Sequence, residues 1–384
     1  MTILYAILLF LCGFLPNGLI FGIPLMKIVL LLAVLTIAIR FFIYRERLNA
    51  NVVLMTLFIL IVMLFSYLKG ISFNQEQASF QFNNILMFVV FYFCLFSIVR
   101  SNAGYNSSWI FRGYFLLIAF KLVFFSFIFF DFVSIKEFQD FSVKFFGVEP
   151  IMMIISDGMV RIQYQVDILI IPSMYFVWCR LREKIGMAQV MMALMLVVNI
   201  CITYSKFYFI FALFFVFVAF CFTSVRGAGI CFSLVFLFLF LFSGEVEGFL
   251  YNRFFSPENS YSDAVRYEQF SYLLDHVAIN PLFGQGLGYY ISNYLRSNVE
   301  MYSYEIQWLS LIMQVGFVGI VVFVFFILSG LVSNVRLKFT KNSLLWAFAV
   351  FFLMLVSFTN PMLTTPAMAA SLYSFKVVTD GKKC

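Results

Sequence analysis

Apolar residues in this chain come in long unbroken stretches, and that habit decides most of what it can become. The stretches lie at 2–15, 19–42, 51–68, 83–99, 109–130, 162–179, 187–204, 207–224, 229–243, 306–329, 343–359 and 361–375. A helix crossing the hydrocarbon of a bilayer needs roughly 20 residues of this kind. A membrane barrel would instead need apolar and polar residues in alternation. The runs therefore predict an all-α, polytopic membrane protein with about twelve transmembrane helices. Composition agrees: 64% of residues are hydrophobic and 11% are charged, against roughly a quarter charged in a soluble domain. A water-soluble enzyme, a disordered chain and a secreted disulfide scaffold are excluded. The first run resembles a signal peptide only in length, and lacking basic residues before it, it is read as a span.

Lys and Arg set the expected orientation, because they concentrate on the cytoplasmic side of short loops. With the N-terminus inside, the inner segments carry Arg40, Arg45, Arg47, Arg100, Arg112, Arg180, Arg182, Lys184, Arg226, Arg336, Lys338, Lys341, Lys376, Lys382 and Lys383. The C-terminus is then inside as well. The outer segments hold most of the acids. The net charge of +7 is thus a sidedness bias, and no basic stripe suggests nucleic-acid binding. Six of the seven cysteines lie in apolar runs and there is one His, so no zinc site is expected.

Two outer segments exceed turn length. Residues 131–161 are amphipathic, with Phe132, Phe138, Phe141, Phe145 and Phe146 among acids and lysines, which suggests a segment lying along the membrane surface. Residues 244–305 form one long periplasmic loop, expected to hold short helices and turns. Nothing indicates a second domain within 1–384.

That loop is the most specific part of the sequence. It contains Tyr251-Asn252-Arg253, Asp263-Ala264-Val265-Arg266, and Asn280-Pro281-Leu282-Phe283-Gly284-Gln285-Gly286-Leu287-Gly288. Glu305 follows, eleven positions before Gly316 of a G-x-x-G that opens the next span. Upstream stands Thr203-Tyr204-Ser205-Lys206, and near the end Asn360-Pro361. In these features the chain resembles the O-antigen polymerase and O-antigen ligase superfamily of bacterial membrane glycosyltransferases, the Wzy/WaaL group. The match covers about 203–329, and the remainder by topology.

The resemblance implies a metal-independent reaction without a cofactor, on undecaprenyl-pyrophosphate-linked glycans at the outer face of the inner membrane. A polymerase moves the growing glycan onto the next lipid-linked repeat unit. A flippase and a chain-length regulator are the partners it implies. Physically, the departing diphosphate needs cations: Lys206, Arg266 and Arg161 are the candidates, Arg161 beside Gln163 and Gln165. The acceptor hydroxyl needs a base, and Glu305, where the loop returns to the membrane, is the candidate. The superfamily's ligases commonly carry His at this position, so Glu305 favours polymerase.

Each residue also has a structural alternative. Lys206 can snorkel to the interface. Arg266 can pair with Asp263 or Glu268, Arg161 can flank a span, and Glu305 can cap the following helix. His276 is read as structural. The glycines at 284, 286 and 288 serve a tight turn or a close approach to a glycan. Lys27, Lys121 and Asp167 lie within spans, at about 2.5–3.5 kcal/mol each near a helix centre. Lys27 can snorkel, and Asp167 is expected to meet Lys121 or Lys206 across helices. Two rival functions remain: a ligase for another acceptor, and a lipid-linked oligosaccharide flippase, which ordinarily shows related halves. A non-enzymatic scaffold would tolerate loss of Arg266 or Glu305.

Overall fold

The computed structural model describes residues 2–45, 47–97, 108–156, 159–222, 233, 257–332, 341–356 and 363–380. The protein is largely α-helical. Its helices are α1 (Thr2–Phe14), α2 (Leu25–Phe42), α3 (Ala50–Ile71), α4 (Gln75–Phe96), α5 (Ser108–Phe129) and α6 (Ile135–Phe146), followed by α7 (Ile170–Glu183), α8 (Met187–Thr203) and α9 (Lys206–Phe222). Beyond the long loop's start come α10 (Pro257–Ile279), α11 (Gln307–Val332), α12 (Lys341–Leu355) and α13 (Pro366–Asp380). By length and composition α2, α3, α4, α5 and α11 can each cross a membrane, and α8, α9 and α12 are shorter apolar helices. Apart from residue 233, the expected span 229–243 lies outside the described residues, as do the Tyr251–Arg253 segment and Asn360-Pro361.

Asparagine starts two of the long helices. Asn49 accepts from the Val52 amide and Asn74 from the Gln77 amide, each satisfying one orphan donor of a first turn. α3 then shows how the bundle is sided. Val52, Thr56, Ile59, Met63, Ser66 and Gly70 are buried at helical spacing, while Leu54, Leu57, Phe58, Ile61, Leu64 and Phe65 are exposed. A helix apolar on both faces, one of them uncovered, has the surface a bilayer would solvate. α1 and α5 approach through small residues. A Cβ at Gly13 would overlap the Ile110 carbonyl, and one at Gly113 the Phe10 carbonyl, so the two backbones meet directly.

Three expectations need correction. The first is that the chain is not purely helical. Ile151–Ser156 (β1) and Met159–Gln163 (β2) form an antiparallel hairpin, with Met152 opposite Ile162 and Met153 opposite Arg161. The expected span 162–179 consequently begins as strand, passes through a 3-10 turn at Gln165–Leu169, and becomes helix only at Ile170. The second concerns the internal form of the segment 131–161, which is a helix followed by the hairpin. Its first half is α6, opened by a capping box between Ser134 and Glu137 and closed by Gly147 in the left-handed conformation, as such boxes and C-terminal glycines favour. The third is the long loop, whose described part holds one 23-residue helix, α10, where short helices and turns were expected. α10 sits on α11 through a small apolar cluster of Leu273, Val277, Ile291, Tyr304, Ile306 and Met313.

Candidate functional site

The stretch between α10 and α11 is ordered by three helices that grip it. α4 carries Gln77, Gln81 and Asn84 at i, i+4 and i+7, one polar stripe on an apolar helix. Gln77 donates to the Val299 carbonyl (3.0 Å) and accepts from the Met301 amide (3.1 Å). Gln81 accepts from the Gly288 amide (2.6 Å) and donates to Gln314 of α11 (2.6 Å). Gln314 in turn donates to the Tyr289 and Tyr302 carbonyls, and Asn84 donates to the Tyr302 hydroxyl (3.0 Å). α3 supplies Lys69, which bonds the Gly284 carbonyl, and the Ser66 carbonyl, which accepts from Leu287.

The glycines of the Asn280–Gly288 turn are explained by the same packing. Gly286 has φ +108°, and a Cβ there would overlap the backbone of Gly70 in α3. The close approach seen here is to the protein's own helices. His276 bonds the Tyr289 hydroxyl through Nδ1 (2.9 Å), the structural role expected of it.

The sequence-derived candidates gather at two corners. At the first, Arg266 of α10 reaches Glu305, Nε to Oε2 2.8 Å, and Arg296 binds the other carboxylate oxygen. Arg266 thus pairs across the loop. Glu305 is held in an Arg–Glu–Arg cluster ahead of α11, which begins at Gln307. Nothing in the local sequence pattern singles out Arg296. At the second corner, Arg161 of β2 donates to the Thr203 carbonyl (3.1 Å) and bonds Gln163. That places it at the turn where α8 ends, Tyr204 adopts a left-handed conformation (φ 48°, ψ 38°), and Lys206 opens α9, half-buried.

The second corner is anchored by a buried polar network. Lys121 of α5 and Asp167 are both fully buried and paired at 3.0 Å. Of the two partners expected for Asp167, the structure pairs it with Lys121. Asp167 also accepts from the Tyr114 hydroxyl (3.1 Å) and the Tyr164 amide (2.7 Å), and Lys121 donates to Asn199 (2.7 Å) one turn before Thr203. A buried charge pair is tolerable only when its remaining lone pairs and protons are satisfied, and here they are.

Between the loop and the helix ends lies a cavity of about 330 Å³. Its wall is largely polar, built from Asn, Gln, Ser, Thr and Tyr side chains of the α1–α2 connection, α4, the 3-10 turn, the segment before α11, α11 itself and the segment before α13. Among the described lining residues the charged ones are Lys27 and Glu300. Burial pushes the Glu300 carboxyl above the usual carboxylate range. It also raises the Tyr302 hydroxyl, with the Glu300 charge adding to the effect, and pushes the Tyr304 hydroxyl up to about 12. Tyr304 ties the cavity to the Arg–Glu–Arg cluster, since it lines the one and precedes Glu305 of the other. Among the described residues no group of three or more His, Cys, Asp or Glu is placed to hold a metal ion.

Compared with known proteins, the chain matches no family model, no curated protein and no solved structure.

Proposed function

We propose that the protein is a polymerase of lipid-linked oligosaccharide repeat units, working at the outer face of a bacterial inner membrane. The observation that carries the reading is the placement of Arg266, Arg296 and Glu305 beside a polar cavity, on a body otherwise dressed for lipid. The proposed topology has twelve spans with both termini inside. Under it, the cavity, the Arg–Glu–Arg cluster and the Arg161–Lys206 corner all fall at the outer ends of their helices. The donor and acceptor are both undecaprenyl-pyrophosphate-linked glycans, and a flippase and a chain-length regulator act beside it. The resemblance in the 203–329 region supports this substrate class.

The proposed chemistry is a single displacement or its two-step equivalent at the donor's anomeric carbon. The acceptor hydroxyl oxygen forms the new glycosidic bond, the bond from the anomeric carbon to the diphosphate oxygen breaks, and lipid diphosphate leaves with that electron pair. Arg266 and Arg296 stabilise the charge that develops on the leaving oxygens. In the resting protein both oxygens of Glu305 are engaged by these arginines. A diphosphate competing for the arginines frees the carboxylate, which then takes the acceptor's proton. Lys206 and Arg161 hold the second part of the diphosphate.

Deletion of the gene and complementation with variants test this. Arg266→Ala and Glu305→Gln should each leave single repeats on the cell surface and no long chains on a glycan ladder gel, with tagged protein still in the membrane. Wild-type ladders in either variant refute the reading.

A further inference from the structure

The cavity wall divides into two kinds of polar group. Gln81, Gln314 and Gln307 spend their amides on the protein, holding the loop and the start of α13's approach. Lys27, Asn83, Gln165, Glu300 and Ser303 line the same space, and their side chains make no hydrogen bond or ion pair among the described residues. They come from four separate places: the first turn of α2, α4, the 3-10 turn, and the segment before α11. Asn84 spends its amide on Tyr302 and keeps its carbonyl oxygen open. These groups are exposed or half-buried, so a ligand entering the space has to replace the hydrogen bonds that water would make to them. Their convergence from distant parts of the chain is how binding pockets are built, and the volume falls at the small end of roughly 300–1,000 Å³ for such sites.

The chemistry of the open groups selects the ligand. Carboxamides and hydroxyls both donate and accept, so they suit a molecule crowded with hydroxyls. Glu300 is acceptor-only when ionised and gains a donor when protonated, which also suits a hydroxyl. Lys27 is a cation with three donors and favours an anion. Lys27 and Glu300 do not pair with each other, so the cavity keeps a positive end and a hydroxyl-accepting end.

We infer that this cavity is a binding site for a sugar unit bearing one negative group, the hydroxyls held by Asn83, Asn84, Gln165, Ser303 and Glu300 and the anion held by Lys27. The anion is either a carboxylate on the sugar or a phosphate of the lipid carrier attached to it. Naming a glycan rests on the polymerase reading, and the need for a polyhydroxylated anion rests on the cavity itself. Lys27 becomes a ligand-binding residue here, where the sequence suggested only a snorkelling charge.

Isothermal titration of the purified protein in lipid nanodiscs tests this without any turnover. Three probes are used: maltose, a glucuronic-acid-containing disaccharide, and farnesyl diphosphate. Asn83→Ala and Gln165→Ala should each weaken both disaccharides by about threefold or more. Lys27→Met should leave maltose within twofold and weaken an anionic probe at least tenfold, with Lys27→Arg restoring it. Loss confined to the acidic disaccharide assigns the anion to the sugar, and loss confined to farnesyl diphosphate assigns it to the carrier. No binding of any probe, or anionic probes indifferent to Lys27→Met, overturns the inference. Arg266→Ala should retain disaccharide binding, so a failed polymerase reading and a failed cavity are separable.

Discussion

Neutralising one member of the Lys121–Asp167 pair should cost far more than neutralising both. Asp167 takes four donors in the structure: Lys121 on both oxygens at 3.0 Å, the Tyr114 hydroxyl, the Tyr164 amide and, more distantly, Asn199 at 3.5 Å. Lys121→Met removes the paired cation and leaves a carboxylate with neutral donors in a space with no solvent access. Asp167→Asn strands the ammonium on Asn199. Breaking one side of a buried pair costs about 3–5 kcal/mol, so each single variant should lose about 3 kcal/mol or more. In the double variant no uncompensated charge remains. The carboxamide that Asp167→Asn introduces keeps one oxygen for the Tyr164 amide and turns its NH2 toward the Tyr114 hydroxyl, which then accepts, and the main loss is the donor to Asn199, worth about 1 kcal/mol. Additive behaviour predicts about 6 kcal/mol or more for the double variant, whereas charge coupling predicts about 1 kcal/mol. Reversible unfolding by SDS titration in mixed micelles measures all three. A double variant as damaged as the sum of the singles would refute the argument that the two charges hold each other.

Two further perturbations separate packing from ionisation. Gly286→Ala puts a Cβ onto the Gly70 backbone at φ +108°, combining backbone strain of about 1–3 kcal/mol with overpacking of similar size; Gly22→Ala, at φ +80° with nothing within 4 Å, carries the strain alone. Thermal unfolding in detergent should therefore show a clearly larger loss for Gly286→Ala, and equal losses would remove the case for helix contact. Glu300 is raised in the fold by desolvation, so its contribution is fully present below its unfolded value of about 4.3 and is lost as pH climbs through the raised value. Glu300→Gln should thus match wild type near pH 4 and exceed it in melting temperature at neutral pH; an unchanged difference across that range would count against burial as the cause.

The apolar runs make the helices legible because membrane helices announce themselves by length alone. What they conceal is the hairpin. Val160-Arg161-Ile162-Gln163 alternates, and Asp157-Gly158 is a hairpin dipeptide, a strong short-range signal. A boundary between 161 and 162 splits the pattern, leaving its first half in the amphipathic segment and its second in the apolar run. Val160 and Ile162 are buried with Arg161 between them half-buried, the period of two that a helix reading erases. The site is legible in its residues and not in its pairings. Arg266 and Glu305 stand 39 positions apart, and no local rule connects them. The Gln77/Gln81/Asn84 stripe is readable, since three amides on one face of an apolar helix need partners. Lys27 stands two residues into a long apolar helix, where position alone cannot distinguish a snorkelling cation from one that lines a cavity.

The Arg–Glu–Arg cluster has a consequence that its individual contacts do not. One carboxylate cannot neutralise two guanidiniums, so Arg266, Glu305 and Arg296 together carry one formal positive charge. They do so while 34%, 23% and 37% exposed, which leaves the charge within reach of solvent and of a ligand. On the proposed topology the surrounding outer segments carry more acids than bases. Their field repels anions at most points of that face, and this cluster, the Arg161–Lys206 corner and Lys27 stand against it. An anionic substrate is then localised by contrast, drawn to cationic places around a polar wall that bonds hydroxyls. Fields between exposed charges fade beyond roughly 10 Å at 0.1 M salt, whereas a contact ion pair partly shielded by protein fades less. Capture of substrate should therefore weaken with ionic strength more than the grip on substrate already bound. Raising salt during a single-turnover assay should slow association while leaving the rate from the bound complex nearly constant. If both rates fell together, the cluster would be acting through exposed charge alone, and the argument for a seated diphosphate between these arginines would lose its electrostatic basis.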